Sequence, residues 1–439
     1  MTASLSPALL VSLLFGAAVL LELLLKFWLA SRQIRAVARH RERVPAEFAA
    51  VIALPAHQRA ADYTVAKLRL GLIEMALGAA VLLGWTLLGG LDWLNGALLD
   101  LLGGRRTLAQ PLALLAAFAL INALIDLPLS LAQTFGVEQR FGFNKMTPGL
   151  WLLDLLKSTL LSLVIGVPLA ALALWLMGVT GDAWWLWTWG LWMAFSLLML
   201  LIYPTFIAPL FNKFQPLQDA ALQERVSRLM ARCGFAAKGL FVMDGSRRSA
   251  HANAYFTGFG AARRVVFFDT LLAQLSGPEV EAVLAHELGH YKRRHIIKRI
   301  AALFVFSLAG LALLGWLARQ GWFYAGLGVT PNLPGTLGPS PPNHALALLL
   351  FMLAAPVFGF FLSPLLALLS RRHEFEADAY AAAQTSAQDL RGALVKLYKD
   401  NASTLTPDSL YVRFYYSHPP AGERMARLAA SSGSGSGGG

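Results

Sequence analysis

Residues 7–30 read PALLVSLLFGAAVLLELLLKFWLA and run directly into SRQIRAVARHRER over 31–43. A helix needs roughly 20 apolar residues to cross a hydrocarbon core of about 30 Å, and this stretch supplies them. The five arginines behind it are the basic flank that sets a span's orientation. A secretory leader has a shorter apolar region and an A-x-A-like cleavage site, so 7–30 reads as a retained first span.

Six more stretches meet the same length requirement, near 68–90, 111–134, 150–177, 184–210, 300–319 and 344–370. Only GVTGDA separates the fourth from the fifth, and Pro168, Pro204 and Pro209 interrupt those helices; neighbouring helices can satisfy the carbonyls that proline frees. The whole chain agrees with this reading. Of its 439 residues 56% are hydrophobic and 14% charged, with a mean hydropathy of +0.55, against about 25% charged in ordinary soluble domains. The net charge of +12 raises the question of nucleic acid. Its lysines and arginines, however, fall between apolar stretches and not on one face, which excludes nucleic acid as the expected partner and leaves membrane lipids. The single cysteine, Cys233, excludes an internal disulfide and a cysteine-based metal cage.

Segments 31–67, 135–149, 211–299 and 371 onward are basic, whereas 178–183 and 320–343 carry no lysine or arginine. By the positive-inside rule the N-terminus faces out and the C-terminus lies in the cytosol, with Arg105 and Arg106 as the exception. The expected organisation is an N-terminal membrane region over 1–210 with five spans, a cytosolic catalytic segment over 211–299 and two further spans over 300–370. A C-terminal catalytic segment follows over 371–429, and then a Ser/Gly tail of linker composition over 430–439.

Within 211–299, QDAALQERVSRLMARCGF reads as an amphipathic helix ending at Gly234, and AYFTGF followed by RRVVFFD reads as a β-hairpin. Next, SGPEVEAVLAHELGHYKRRH opens with a serine N-cap, an early proline and acids in the first turn. Inside that helix HELGH, 286–290, fits H-E-x-x-H. Residues four apart lie about 40° apart around a helix, so His286 and His290 project toward one metal. Glu287, about 100° round from His286, is placed as a general base and not as a ligand. His295, five residues past His290, reads as lying off that face, near headgroups or a neighbouring loop.

A catalytic zinc takes three protein ligands and leaves a position open. SRRHEFEADAYA, 370–381, supplies candidates. Glu374 and Asp378 share a helix face and Glu376 points away, so Glu374 is assigned to one zinc ion and Asp378 to a supporting position, where it accepts the second N–H of a ligand histidine.

The chain resembles the CAAX prenyl protease 1 family of integral-membrane zinc proteases. The resemblance rests on EQRFGFNK (138–145), PTFIAPLFNKFQPL (204–217), NAYFTGF (253–259), VVFFDTLL (265–272), HELGH, EFEAD (374–378) and YSHPP (416–420) with Glu423 and Arg424 behind it. It implies seven helices around a water-filled chamber, with zinc on His286, His290 and Glu374 and with Glu287 as base. It also implies proton movement assisted by Asp378, a substrate backbone held by Asn253, and His418 near the scissile carbonyl. Asn253 has a second reading as a turn residue, and His418 as a cap of the final helix.

The expected fold is therefore an all-α polytopic membrane protein with a small β-hairpin in its catalytic part. The expected activity is a zinc metalloendopeptidase acting on peptide or protein substrates, lipidated ones included. The end of the chain shows no basic endoplasmic-reticulum retrieval signal, and the Ala, Leu and Arg usage points to a bacterial inner membrane. Quality control of membrane proteins is an alternative task with the same chemistry. An inactive channel or transporter is the rival from another class, opposed by the few acids within the spans, mainly Glu22, Glu74, Asp126 and Asp154.

Overall fold

The computed structural model describes residues 5–103, 107–235, 239–257, 264–331, 333 and 343–433. The Ser/Gly tail from 434, Arg105 and Arg106, and the hairpin tip with Gly258 and Phe259 lie outside the described residues. Among the described residues, seven helices are long and apolar enough to cross a membrane. They are Pro7–Arg39, Leu54–Trp85, Ala109–Glu138, Pro148–Val179, Gly181–Phe211, His295–Leu317 and His344–Gln384. Several begin where the chain supplies a cap. Ser6 and Thr147 each accept a hydrogen bond from an N–H of the first turn ahead of a proline, and Asn343 caps the last span.

In order, each span touches the next, and the seventh returns to the first, so the helices close into a ring. In six of the seven, 6 to 11% of the most apolar window is buried. A packed bundle would bury much more; a wall one helix thick, with lipid on one side and a chamber on the other, buries this little. The wall carries charge inside it, as in the Glu22–Lys26 pair at 2.6 Å.

Two apolar clusters close the ends. One gathers Phe15, Trp85, Leu91, Leu114, Leu174, Trp184, Leu314, Phe323 and Leu346, drawn from the spans and from the short helices Gly90–Leu101 and Gly321–Gly326. The other, built on Val226, Leu229, Val265, Phe267, Val280, Leu284, Leu288, Leu390 and Leu428, is the core of the catalytic part.

The expected hairpin is present and belongs to a larger sheet. Strands β1 (Phe214–Pro216), β2 (Gly239–Met243), β3 (Ala254–Thr257) and β4 (Arg264–Phe268) run in the order β1-β2-β4-β3. β3 pairs antiparallel with β4, Ala254 facing Phe267 and Thr257 facing Arg264, while β2 pairs parallel with β4. β3 is thus an edge strand. The amphipathic segment forms helix Ala220–Arg232, capped by Asp219, and turns at Gly234 with φ +63°.

The spans and the catalytic part share helices. His295–Leu317 starts before residue 300, and Ser363–Gln384 continues the last span through EFEAD without a break. The residue pattern therefore changes from apolar to charged along one continuous helix.

Candidate active site

HELGH lies on helix Gly277–Lys292. Ser276 and Glu279 form a capping box, with Glu279 Oε2 accepting from the Ser276 N–H at 2.7 Å, so the orphan donors of the first turn are satisfied. Val280, Leu284 and Leu288, spaced by four, are buried in the catalytic core. That anchors one face and aims His286 and His290 from another. Glu279 also takes Lys396 Nζ at 2.6 Å. Burial alone would raise its carboxyl pKa, but the hydrogen bonds from Lys396 and Ser276 win and lower it.

Helix Ser363–Gln384 packs along the HELGH helix and brings Glu374 to the two histidines. His286 Nε2 lies 3.4 Å from Glu374 Oε2, His290 Nε2 lies 3.3 Å from Glu374 Oε1, and the two Nε2 atoms are 3.2 Å apart. One ligand atom from each residue falls within 4.8 Å of the others. Glu374 Oε2 is buried without a hydrogen-bond partner. Two imidazole nitrogens and an orphaned carboxylate oxygen facing one point are poor company for each other and a good cage for a divalent cation; His2Glu is a donor set that catalytic zinc uses. The residues fit the metal.

Each histidine is held from behind. His286 Nδ1 meets Asp378 Oδ1 at 2.8 Å, and Arg424 grips Asp378 with two bonds, Nε to Oδ2 at 2.8 Å and Nη2 to Oδ1 at 2.5 Å. Burial acts to lower the His286 pKa, yet the neighbouring Asp378 and Glu374 carboxylates carry it up to about 9, so the surroundings of this imidazole favour a cation. Glu287 is pushed up, chiefly by burial, against the pull of the two histidines.

His290 has the second support, and here the sequence reading is corrected. His295 is buried, its Nδ1 lies 3.1 Å from His290 Nδ1, its Nε2 lies 3.0 Å from Glu376 Oε2, and its ring stacks on His373 at 4.0 Å. The off-face placement assumed a continuous helix. The HELGH helix ends at Lys292, and Arg294 adopts a left-handed φ of 56°, which folds His295 back against His290.

His418 Nε2 stands 3.5 Å from Glu374 Oε1, beside a cavity of about 820 Å³. Asn253 is exposed at the wall of the same cavity and does not touch the His–His–Glu group; its Oδ1 accepts from the Ala254 N–H at 2.8 Å, and its carbonyl accepts from the Phe268 N–H at 3.0 Å. The cavity's other polar residues leave no spacing signal in the sequence. Tyr63 donates to Glu138 at 2.7 Å, His251 stacks on Phe143 at 4.3 Å, and Asn401 Oδ1 accepts from the Ala252 N–H at 3.1 Å. EQRFGFNK supplies Glu138 and Phe143, so the motif supports the cavity residues Tyr63 and His251 from behind. Arg424 was visible as a motif residue, but its partner was not.

A His–His–Glu group next to a cavity lined in part by the first two membrane helices marks a membrane-embedded metallopeptidase. The comparisons agree. Residues 33–213 match the family model for the CAAX prenyl protease N-terminal region with five membrane helices, and 216–432 match peptidase family M48. The CAAX prenyl protease 1 homolog of Oryza sativa subsp. japonica is 39% identical, over 74% of this chain and 75% of its own; that of Homo sapiens is 31% identical over 94% and 95%. The crystal structure of S. mikatae Ste24p superposes with a TM-score of 0.88 at 31% identity, covering 97% of this chain and 99% of that one. The chain belongs to the CAAX prenyl protease 1 family and is a multi-pass membrane metalloendopeptidase acting on peptide or protein substrates.

Proposed function

We propose that one zinc ion is held by His286, His290 and Glu374, and that peptide hydrolysis is carried by Glu287, Asp378, His418 and Asn253 around it. The observation that supports this most directly is the meeting of three ligand atoms from two helices within 4.8 Å, one of them an orphaned buried oxygen. Zinc bound there would acidify water and polarise a carbonyl. Glu287 takes a proton from the attacking water on its carboxylate and later delivers it to the leaving nitrogen; the upward push on its pKa suits both halves of that task. Asp378, locked by Arg424, accepts a hydrogen bond from His286 Nδ1–H and leaves Nε2 free to ligate. His418 donates to the carbonyl oxygen; its position between the cavity and Glu374 supports that role.

The edge position of β3, whose strand touches the HELGH helix, favours substrate binding as an added strand. Main-chain hydrogen bonds then supply affinity, and Asn253 at the head of the strand contributes its side-chain amide. The substrate class we favour is a membrane-associated peptide segment with a lipidated chain end, on the strength of what the relatives' names say they process. The distribution of basic residues supports a cytosolic C-terminus and catalytic part, and the Ala, Leu and Arg usage supports a bacterial inner membrane. The division into 1–210, 211–299, 300–370 and 371–429 remains the functional partition we favour, with shared helices at two of its borders. Metal analysis together with cleavage of paired prenylated and unprenylated peptides tests this reading. Absence of zinc from the purified protein overturns the site; equal cleavage of both peptides overturns the lipid preference.

A further inference from the structure

A second cavity, of about 1010 Å³, lies on a different face of helix Ser363–Gln384 from the metal site. Leu368, Arg371, Arg372, Phe375 and Ala379 line it at helical spacing, on a face rotated about 100° from Glu374. Five arginines converge there from four segments: Arg293 behind the HELGH helix, Arg371 and Arg372, Arg413 on helix Ser409–Tyr415, and Arg427 on helix Ala421–Gly433. Two carboxylates share the pocket, and one of them, Glu376, is already bonded to His295. Positive charge is in excess.

Two of the arginines are fixed. Arg371 Nη1 donates to the carbonyls of Val412 and Tyr416 at 2.9 and 2.8 Å, and the Arg427 guanidinium lies 3.6 Å from the centre of the Phe375 ring. Arg293, Arg372 and Arg413 are exposed around them. A preset group of forked donors of this kind matches the oxygens of a phosphate.

The depth of the pocket says which phosphate. Leu365 and Leu369 are exposed on the preceding turns of the same helix, and Leu368 lines the pocket itself. Exposed leucines on a spanning helix face acyl chains, and the arginines follow within one turn, at the level where the helix leaves hydrocarbon. We propose that this pocket binds the headgroup of an anionic phospholipid, with the arginines on its phosphodiester and the acyl chains running along the leucine face. The site is separate from the peptidase centre and does not depend on which substrate that centre cleaves. It takes lipid from the leaflet on the catalytic side.

The test measures lipid retention by the intact protein with native mass spectrometry, after delivery of phosphatidylglycerol or phosphatidylcholine from mixed micelles. The expected result is selective retention of phosphatidylglycerol, weakened at least about tenfold in the double variant Arg372→Gln/Arg413→Gln, and unchanged in Arg228→Gln on another exposed helix face. Unchanged cleavage of a soluble peptide by the double variant establishes that it is folded, and the two single variants replace it otherwise. Equal retention by wild type and variants, or equal retention of both lipids, overturns the proposal. Displacement of the lipid by an equal concentration of inorganic phosphate also overturns it, because the pocket then recognises a free anion.

Discussion

A Cβ placed on Gly289 would lie 2.9 Å from Ala377 Cα and 3.1 Å from the Ala377 carbonyl oxygen. The glycine of HELGH is therefore the point where the helix carrying the histidines touches the helix carrying Glu374. At most exposed helical sites glycine is about 1 kcal/mol worse than alanine. Here alanine should be the worse residue, because both neighbouring atoms are backbone and cannot swing away. Gly289→Ala is expected to separate the helices and lower metal affinity about tenfold or more. Equilibrium dialysis against a zinc chelator measures this, and wild-type affinity in the alanine variant contradicts the contact.

Glu287→Gln should keep its metal and lose nearly all peptide cleavage, since it removes a proton acceptor and no ligand. His286→Ala should lose both. Metal content and turnover measured on the same preparations separate the two outcomes; a fully active glutamine variant would assign the base elsewhere.

Arg424 and Asp378 are each 6% exposed at the side chain. Arg424→Met leaves a buried carboxylate without its cation, and breaking such a pair costs about 3–5 kcal/mol. The expected signs are a lower unfolding midpoint and weaker metal retention together. Asp378→Asn, which keeps the shape and removes the charge, should reduce metal affinity about 10- to 100-fold. An unaltered midpoint in Arg424→Met would show that the arginine contributes nothing to the site's support.

The lowered pKa of Glu279 makes a prediction about acid stability. A carboxyl whose folded pKa lies below its unfolded value binds fewer protons when folded. Its stabilisation is present above the unfolded pKa, about 4.3, and is lost as pH falls through the folded value. Glu279→Gln should therefore lower the unfolding midpoint at pH 7 and bring it closer to wild type below about pH 4. A difference that grows on acidification contradicts the assignment.

Asn253→Ala should reduce turnover of a reporter peptide about tenfold while zinc content and unfolding midpoint stay near wild type. Loss of zinc or stability along with activity makes it a turn residue. Unchanged activity removes the residue-level support for strand addition.

HELGH could be read in the sequence as a metal helix because four-residue spacing on a helix is local geometry, and Glu374 could be paired with it because chemistry demands a third ligand. The seven spans could be read because hydrocarbon imposes a length and a composition on any crossing segment. What lay beyond reach depended on contacts between distant segments or on where a helix stops. No spacing rule pairs Arg424 with Asp378, or Tyr63 with Glu138, across 46 and 75 positions. His295 was misplaced because helical periodicity was carried across a break that a single left-handed residue, Arg294, creates. β1 and β2 escaped notice because a three-residue strand and a five-residue strand carry little pattern of their own and form through pairing with β4.

Local periodicity and the solvent demands of the bilayer thus determined from sequence alone that this is a membrane metallopeptidase and which helix holds its histidines. Only the tertiary structure decided how the spans close into a ring, which residues stand behind each histidine, and which arginines gather around one cavity. Those arrangements are set by packing between segments far apart in the chain, and such packing leaves no periodic trace in either segment.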